Sequence, residues 1–154
     1  MNPTAVNDTI FQEIAINASA ERVFDAFADP RQRLRWWRSP GLFQATDMES
    51  DLRPGGIWMM RGIGRDARPF TVRGEYLEIE WARLLVFTWI RGGNEDPAES
   101  IVRVEFGETS GVTTVRLAHS GLVTEALRTR NSGWPLILSL LQAYVEQDNA
   151  AAAV

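Results

Sequence analysis

Residues 111–121 read G-V-T-T-V-R-L-A-H-S-G, and the last regular stretch, G-W-P-L-I-L-S-L-L-Q-A-Y-V-E-Q, runs from Gly133 to Gln147. In the first stretch Val115, Leu117 and His119 share one face and Arg116 lies on the other, the alternation of a half-buried strand that turns the chain's single histidine inward. In the second, Trp134, Ile137, Leu138, Leu141, Tyr144 and Val145 recur at helical spacing and leave Gln142 and Glu146 on the opposite side. So broad an apolar helical face has to be buried, and the strands before it are the surface on offer. Pro135 fixes where the helix begins: with Ser132 as cap it falls in the first turn, where its missing N–H breaks no bond, whereas mid-helix it would cost about 3 kcal/mol.

Working back from there, the pattern is β for some eighty residues. Strands are predicted near Phe43 to Glu49, Gly56 to Gly62, Phe70 to Glu80, Leu84 to Arg91, Ser100 to Phe106 and Val112 to His119. Turn chemistry separates them at Pro54-Gly55-Gly56, Gly64 to Pro69, Gly92-Gly93-Asn94 and Gly107 to Gly111. Upstream, Ile10, Ile14 and Ile16 mark a first strand over Thr9 to Ile16. Ser19 then caps a short helix carrying Ala20, Val23, Phe24 and Phe27, which Asp29-Pro30 ends. Arg31 to Trp37 forms a second brief helix with Leu34 and Trp37 inward, and Val123 to Arg130 is a helical piece before the long one. Ala150 to Val154 has no periodicity and is expected to fray. The predicted fold class is α+β: a curved antiparallel sheet of about seven strands wrapped around a long C-terminal helix, with two short helices after the first strand. This is a helix-grip arrangement, in one domain spanning 1–154 with its core at about 9–147.

Composition narrows the function. The absence of cysteine and the presence of one histidine exclude disulfide, thiolate and His-rich metal chemistry, so neither metal nor cofactor is expected. A net charge of −4 disfavours nucleic acid. The longest apolar stretch, Leu84 to Ile90, is interrupted by Thr88, and Met1 to Thr9 carries no signal-like pattern, so no membrane partner and a cytoplasmic location are expected. All 16 basic residues are arginine.

Seven short motifs, in order, carry a resemblance that covers about Ile10 to Glu146: V-F-D-A-F-A-D-P (Val23 to Pro30), Trp36-Trp37, D-L-R-P-G-G (Asp51 to Gly56), G-E-Y-L-E-I (Gly74 to Ile79), L-V-F-T-W (Leu85 to Trp89), T-V-R-L-A-H-S-G-L (Thr114 to Leu122), and Gly133-Trp134 followed by leucines. With these the chain resembles the START-related SRPBCC superfamily, and within it the branch named for homologues of the activator of the heat-shock chaperone ATPase. The resemblance implies the helix-grip fold. It leaves function open, because this fold hosts carriers, cyclases, co-chaperone domains and stress proteins. Two departures stand out: Trp81-Ala82-Arg83 where relatives place a proline, and Pro135 directly after Gly133-Trp134. The eukaryotic chaperone activator has a further N-terminal domain for which this chain has no length, so a chaperone partner is not expected.

The candidate binding residues are Trp37, Met60, Glu75, Trp89, His119, Trp134, Leu138 and Leu141, as the walls of a cavity between sheet and C-terminal helix. Each tryptophan has an alternative reading as core packing. His119 is either a structural histidine donating to a backbone carbonyl, or a functional one acting as a general base or donating a hydrogen bond to a ligand oxygen. Glu75 shares parity with Leu77 and Ile79, which faces it inward, while Val72 and Tyr76 argue for the opposite face and a β-bulge would reverse the assignment. An inward Glu75 beside His119 would be the chain's best acid/base pair. The Gly62-Ile63-Gly64 run reads as a turn, lacking the third glycine of a nucleotide loop. Three functions follow. The first is a binder of a small apolar or amphipathic ligand with no assigned reaction; the alternatives are a cyclase-like or aromatase-like enzyme using His119 or Glu75, and a protein-interaction domain. A homodimer is left open.

Overall fold

The computed structural model describes residues 4–6, 8–92 and 99–152. In chain order these form β1 (Thr4–Val6), β2 (Thr9–Ile16), α1 (Ala20–Ala28), α2 (Pro30–Trp36), β3 (Arg38–Ser39), β4 (Phe43–Ser50), β5 (Ile57–Ile63), a single 3₁₀ turn (Arg65–Ala67), β6 (Pro69–Glu80), β7 (Leu84–Arg91), β8 (Ser100–Thr109), β9 (Val112–Ser120), α3 (Glu125–Arg130) and α4 (Trp134–Ala152). The strands make one antiparallel sheet in the order β1-β2-β9-β8-β7-β6-β5-β4-β3. It has nine strands rather than about seven, because β1 and β3, of three and two residues, are too short for alternation to reveal. Of the turn expected at Gly92-Gly93-Asn94, residues 93 and 94 lie outside the described residues, as do 153 and 154 of the expected frayed tail. The backbone of α4 nevertheless runs helical to Ala152, past the expected start of fraying.

Local chemistry sets the two short helices. Ser19 accepts from the Arg22 N–H at 3.2 Å, and Glu21 sits in the first turn of α1. Asp29 then does two jobs. Its backbone closes α1 by donating to the Asp25 carbonyl, and its carboxylate caps α2 by accepting from Arg31 N–H at 3.1 Å, with Pro30 in the first turn where it lacks nothing. The start of α4 differs from expectation. Gly133, not Ser132, flanks the helix, since its carbonyl accepts from Ile137 N–H at 3.0 Å, while the Ser132 hydroxyl turns back to the Thr129 carbonyl at 2.6 Å. Pro135 still falls within the first turn. The Trp81-Ala82-Arg83 departure is a tight turn closed by Arg83 N–H to the Glu80 carbonyl, with Ala82 at φ 63°.

Cross-strand rows place the core on one face of the sheet. Ile10, His119, Val102, Phe87 and Tyr76 lie side by side across five strands and are all buried. Along β6 the pairing slips between Tyr76 and Glu78, leaving Leu77 as the extra residue of a bulge. Tyr76 before the bulge and Ile79 after it therefore both pack toward the core, despite opposite parity. Across that face lies α4, with Trp134, Leu138, Leu141 and Val145 buried. Gln142 and Glu146, expected on the far side, border the seam: Gln142 Nε2 donates to the Ala15 carbonyl and Glu146 accepts from Asn17 N–H, both at 2.9 Å.

The closest approach in the sheet is at Gly74. A Cβ there would lie 1.9 Å from the Thr88 carbonyl oxygen and 2.9 Å from Trp58 Nε1, so only a residue without a side chain admits both neighbours. The Thr88 hydroxyl takes over the local ladder bond, accepting from Glu75 N–H at 2.8 Å. Trp58 Nε1, pressed against this spot, is a buried N–H with no partner, a deficit of about 1–3 kcal/mol that the surrounding ring packing must offset. Gly74→Ala is accordingly expected to destabilise the protein by about 3 kcal/mol. Gly107→Ala, where a Cβ meets nothing within 4 Å, should shift stability by less than about 1 kcal/mol; urea unfolding of the pair checks the contrast, and equal effects would contradict it.

Candidate functional site

Three tryptophans from separate elements meet under the first turn of α4. Trp37 follows α2 and ends it, its backbone N–H donating to the Arg33 carbonyl; Trp89 lies on the inward face of β7; Trp134 opens α4. Their ring centroids are 5.2 Å apart for Trp89–Trp134, 6.1 Å for the edge-on Trp37–Trp134 pair and 6.4 Å for Trp37–Trp89. Trp58 and Phe87 continue the cluster into the core. Behind it sits Arg33, 4% exposed, with its guanidinium 4.4 Å from the Phe27 ring centre and 5.1 Å from that of Trp37, and its Nε donating to the Phe27 carbonyl at 2.7 Å. Burial draws its pKa down to about 10, with nearby Tyr76 opposing, so it remains a cation at neutral pH.

A chain of buried hydrogen bonds fixes this arrangement. Trp134 Nε1 lies 3.0 Å from His119 Nδ1, His119 Nε2 lies 2.7 Å from Ser100 Oγ, and Ser100 Oγ lies 3.2 Å from the Trp89 carbonyl. An indole nitrogen only donates, so Nδ1 must accept and the imidazole proton resides on Nε2. From there the direction is determined: Nε2–H donates to Ser100, whose own proton goes to the Trp89 carbonyl. His119 is fully buried and has both nitrogens occupied. Burial first, and the nearby Arg91 cation second, pull its pKa down to about 3, so it is neutral. Trp89 Nε1 is bound in turn, donating to Asn131 Oδ1 at 3.1 Å, and Asn131 Nδ2 donates to the Leu127 carbonyl at 2.8 Å.

Beside the tryptophans is a hollow of about 290 Å³, open on one side. Trp37, Trp89, Trp134, Phe43, Phe70 and Ile137 supply its walls, and Arg65, Arg91, Arg130 and Asn131 its polar groups. Two depressions, of about 470 and 520 Å³, are larger. The first is lined by charges paired among themselves, such as Arg83 with Glu80 and Arg103 with Glu105, and the second by the short chain around Pro40 and Gly41. Ring walls with a few converging polar groups distinguish the 290 Å³ hollow from both.

Of the sequence-predicted residues, Trp37, Trp89 and Trp134 line this hollow. Met60, Leu138 and Leu141 are fully buried core, so the space beneath the middle of α4 is filled and the opening is confined to its first turns. His119 lies behind Trp134, and its partners are an indole and a serine rather than the expected backbone carbonyl. Glu75 faces outward, paired across the sheet with exposed Ile57, so no Glu75–His119 pair forms. Sequence reasoning missed Arg65, Arg91, Arg130, Asn131, Phe43, Phe70 and Ile137. Only Arg91 had a signal, an arginine at the same inward parity as Trp89 and Phe87. Among the described residues no group of three or more His, Asp or Glu could hold a metal ion, and no described helix is long and apolar enough to cross a membrane.

The neutral, buried imidazole has a pH signature. The unfolded chain takes up a proton near the ordinary histidine value of about 6.5, whereas the folded protein resists it down to about pH 3. His119 therefore costs nothing above about pH 6.5 and removes stability as the pH falls from there toward 3, on the order of 4 kcal/mol in all. Urea unfolding across this range should show His119→Gln lacking that part of the slope; parallel pH profiles for the two proteins would contradict the assignment.

No curated protein matches the sequence. Among solved structures, the AHSA1-like protein from Aeromonas hydrophila is 25% identical with a TM-score of 0.76, the match covering 92% of this chain and 94% of that one. A protein from Chromobacterium violaceum is 24% identical with a TM-score of 0.77, covering 90% and 97%, and one from Nitrosomonas europaea is 19% identical with a TM-score of 0.79, covering 96% and 99%; these two show the shared fold. The model of the family described as Activator of Hsp90 ATPase homolog 1-like protein matches residues 17–146. That span takes in α1, α2, β3 to β9 and the buried face of α4, and the chain belongs to this family.

Proposed function

We propose that the protein binds a small apolar or amphipathic molecule in the hollow walled by Trp37, Trp89 and Trp134, with no reaction assigned to it. The observation that carries this reading is the hollow itself: ring-walled, about 290 Å³, and flanked by arginines and an asparagine. Its size is at the lower end of the roughly 300–1,000 Å³ usual for ligand sites, and corresponds to about ten water volumes. Its position suits the task. Trp134 and Trp89 are anchored from behind by His119, Ser100 and Asn131, so the walls are pre-organised and a ligand need not order them on binding.

Binding is favoured over acid/base catalysis by where the titratable candidates lie. A general base has to reach the proton it moves. His119 has both nitrogens engaged and lies behind Trp134, Glu75 is on the outer face, and no carboxylate or imidazole is among the described lining residues.

Ile137 lines the hollow from α4 and is not itself fully buried. Ile137→Trp should fill the space with little cost to folding. A neutral bicyclic probe, 1-naphthaleneethanol, is expected to quench tryptophan emission saturably and to raise the melting temperature of the wild-type protein. Stabilisation should follow mass action, about 2.7 kcal/mol at a hundredfold excess over Kd. The variant should bind at least about tenfold more weakly, about 1.4 kcal/mol. Equal affinity for the two proteins would contradict the location, and no saturable response of the wild type to this probe or to analogues carrying a carboxylate or phosphate on the same naphthyl body would contradict the reading.

A further inference from the structure

The charge around the hollow does not match the charge of the chain. With a net charge of −4, acids outnumber bases, yet Arg65, Arg91 and Arg130 line the hollow and no carboxylate among the described residues does. Five of the 16 arginines have acidic partners among the described residues, all of them away from the hollow: Arg53 with Asp51, Arg61 with Asp47, Arg83 with Glu80, Arg103 with Glu105 and Arg116 with Glu13. Arg65, Arg91 and Arg130 have no ion pair among the described residues. Asp66, next to Arg65 in sequence, lines the adjoining depression instead.

Arg91 is the central member of the three. It follows Trp89 by two residues on β7 and lies in the inward cross-strand row of Val72, Met60 and Met48, so its side chain leaves the sheet on the ring-bearing face. Its Nη1 donates to the Arg130 carbonyl at 3.1 Å, which ties the end of β7 to the end of α3. Burial and the Arg130 charge both lower the Arg91 pKa, and Arg91 in turn depresses that of His119. Burial is the larger cause of both shifts and the neighbouring cation the smaller one, and no carboxylate among the described residues lines the hollow to offset it. A partly desolvated guanidinium is strongly stabilised by an oxyanion, whose geometry its planar fork matches.

We propose that the ligand is an amphiphile with an oxyanion head, a carboxylate or a phosphate monoester, whose apolar body packs on Trp37, Trp89 and Trp134 while Arg91 and Arg130 hold the head at the mouth. This rests on the binding reading above and specifies the class of molecule. Asn131 accepts from Trp89 Nε1 and donates to the Leu127 carbonyl, which fixes the Trp89 ring in the wall.

The test uses three probes sharing one apolar body: 1-naphthaleneacetate, 1-naphthyl phosphate and 1-naphthaleneethanol, titrated by tryptophan emission at neutral pH. At least one anion should bind about tenfold more tightly than the alcohol, as expected for a charge-assisted hydrogen bond, and the preference should shrink as salt is raised. Which anion binds better identifies the head group. Arg130→Gln, on the exposed α3, and Arg91→Gln should each lower the ratio of anion to alcohol affinity by about fivefold or more, with Arg91→Lys intermediate. Alcohol binding as tight as both anions, or an anion preference that survives in both glutamine variants, would overturn the head-group assignment and leave the hollow as an apolar site. Failure of all three probes to bind the wild type would overturn both readings.

Discussion

The hydrogen bond from the Trp134 indole to His119 is the contact on which the rest of this structure depends. It joins the first residue of α4 to the inward face of β9, and through Nε2 and Ser100 it reaches β8 and the backbone of β7. Helix packing on a sheet is ordinarily non-directional, since apolar area can slide at little cost. A donor-only indole meeting a one-sided imidazole acceptor in a dry interior cannot slide, because a shift would leave two buried polar groups without partners. The position of α4 along the sheet is therefore set at one end by polar geometry. Further along, it is set by the burial of Leu138, Leu141 and Val145.

That division explains why the hollow lies where it does. The sheet's inward face carries Phe87, Trp58, Met60 and Val102, α4 turns Leu138, Leu141 and Val145 into the same core, and all of them are buried. Near the first turn the floor changes character, since β7 ends in Arg91, β6 begins with Pro69 and Phe70, and Gly133 contributes no side chain. The tryptophans thus serve two purposes: their inner surfaces close the core, and the edges of Trp37, Trp89 and Trp134 face an opening. The family's framework supplies the fold, and the arginines that line the hollow supply its polar chemistry.

Much of the fold could be read from residue order alone. The boundaries of β2 and β7, the Ser19 cap and the Asp29-Pro30 junction follow from alternation and local hydrogen bonding, and the structure repeats them. Parity also placed His119 inward. Its partners were hidden, because Trp134 and Ser100 are 15 and 19 residues away in sequence and meet only through the tertiary fold. Glu75 is the reverse case: neighbours on both parities were apolar, and the bulge at Leu77, which reconciles them, has no local sequence mark. Phe43, Phe70 and Asn131 joined the site from turns and strand ends, where no periodicity tells which way a side chain points. Arg91 was legible in principle, as a charge on the inward parity of an otherwise apolar strand.

The most direct measurement is hydrogen exchange of the Trp134 indole N–H, followed by NMR across a urea series. If this bond locks α4 onto the sheet, the proton should exchange only when the whole molecule opens, with an opening free energy equal to that of global unfolding. Exchange at the rate of a solvent-exposed indole, or an opening free energy far below the global value, would show that the helix start is not held by His119, and the pre-organised hollow would lose its physical basis.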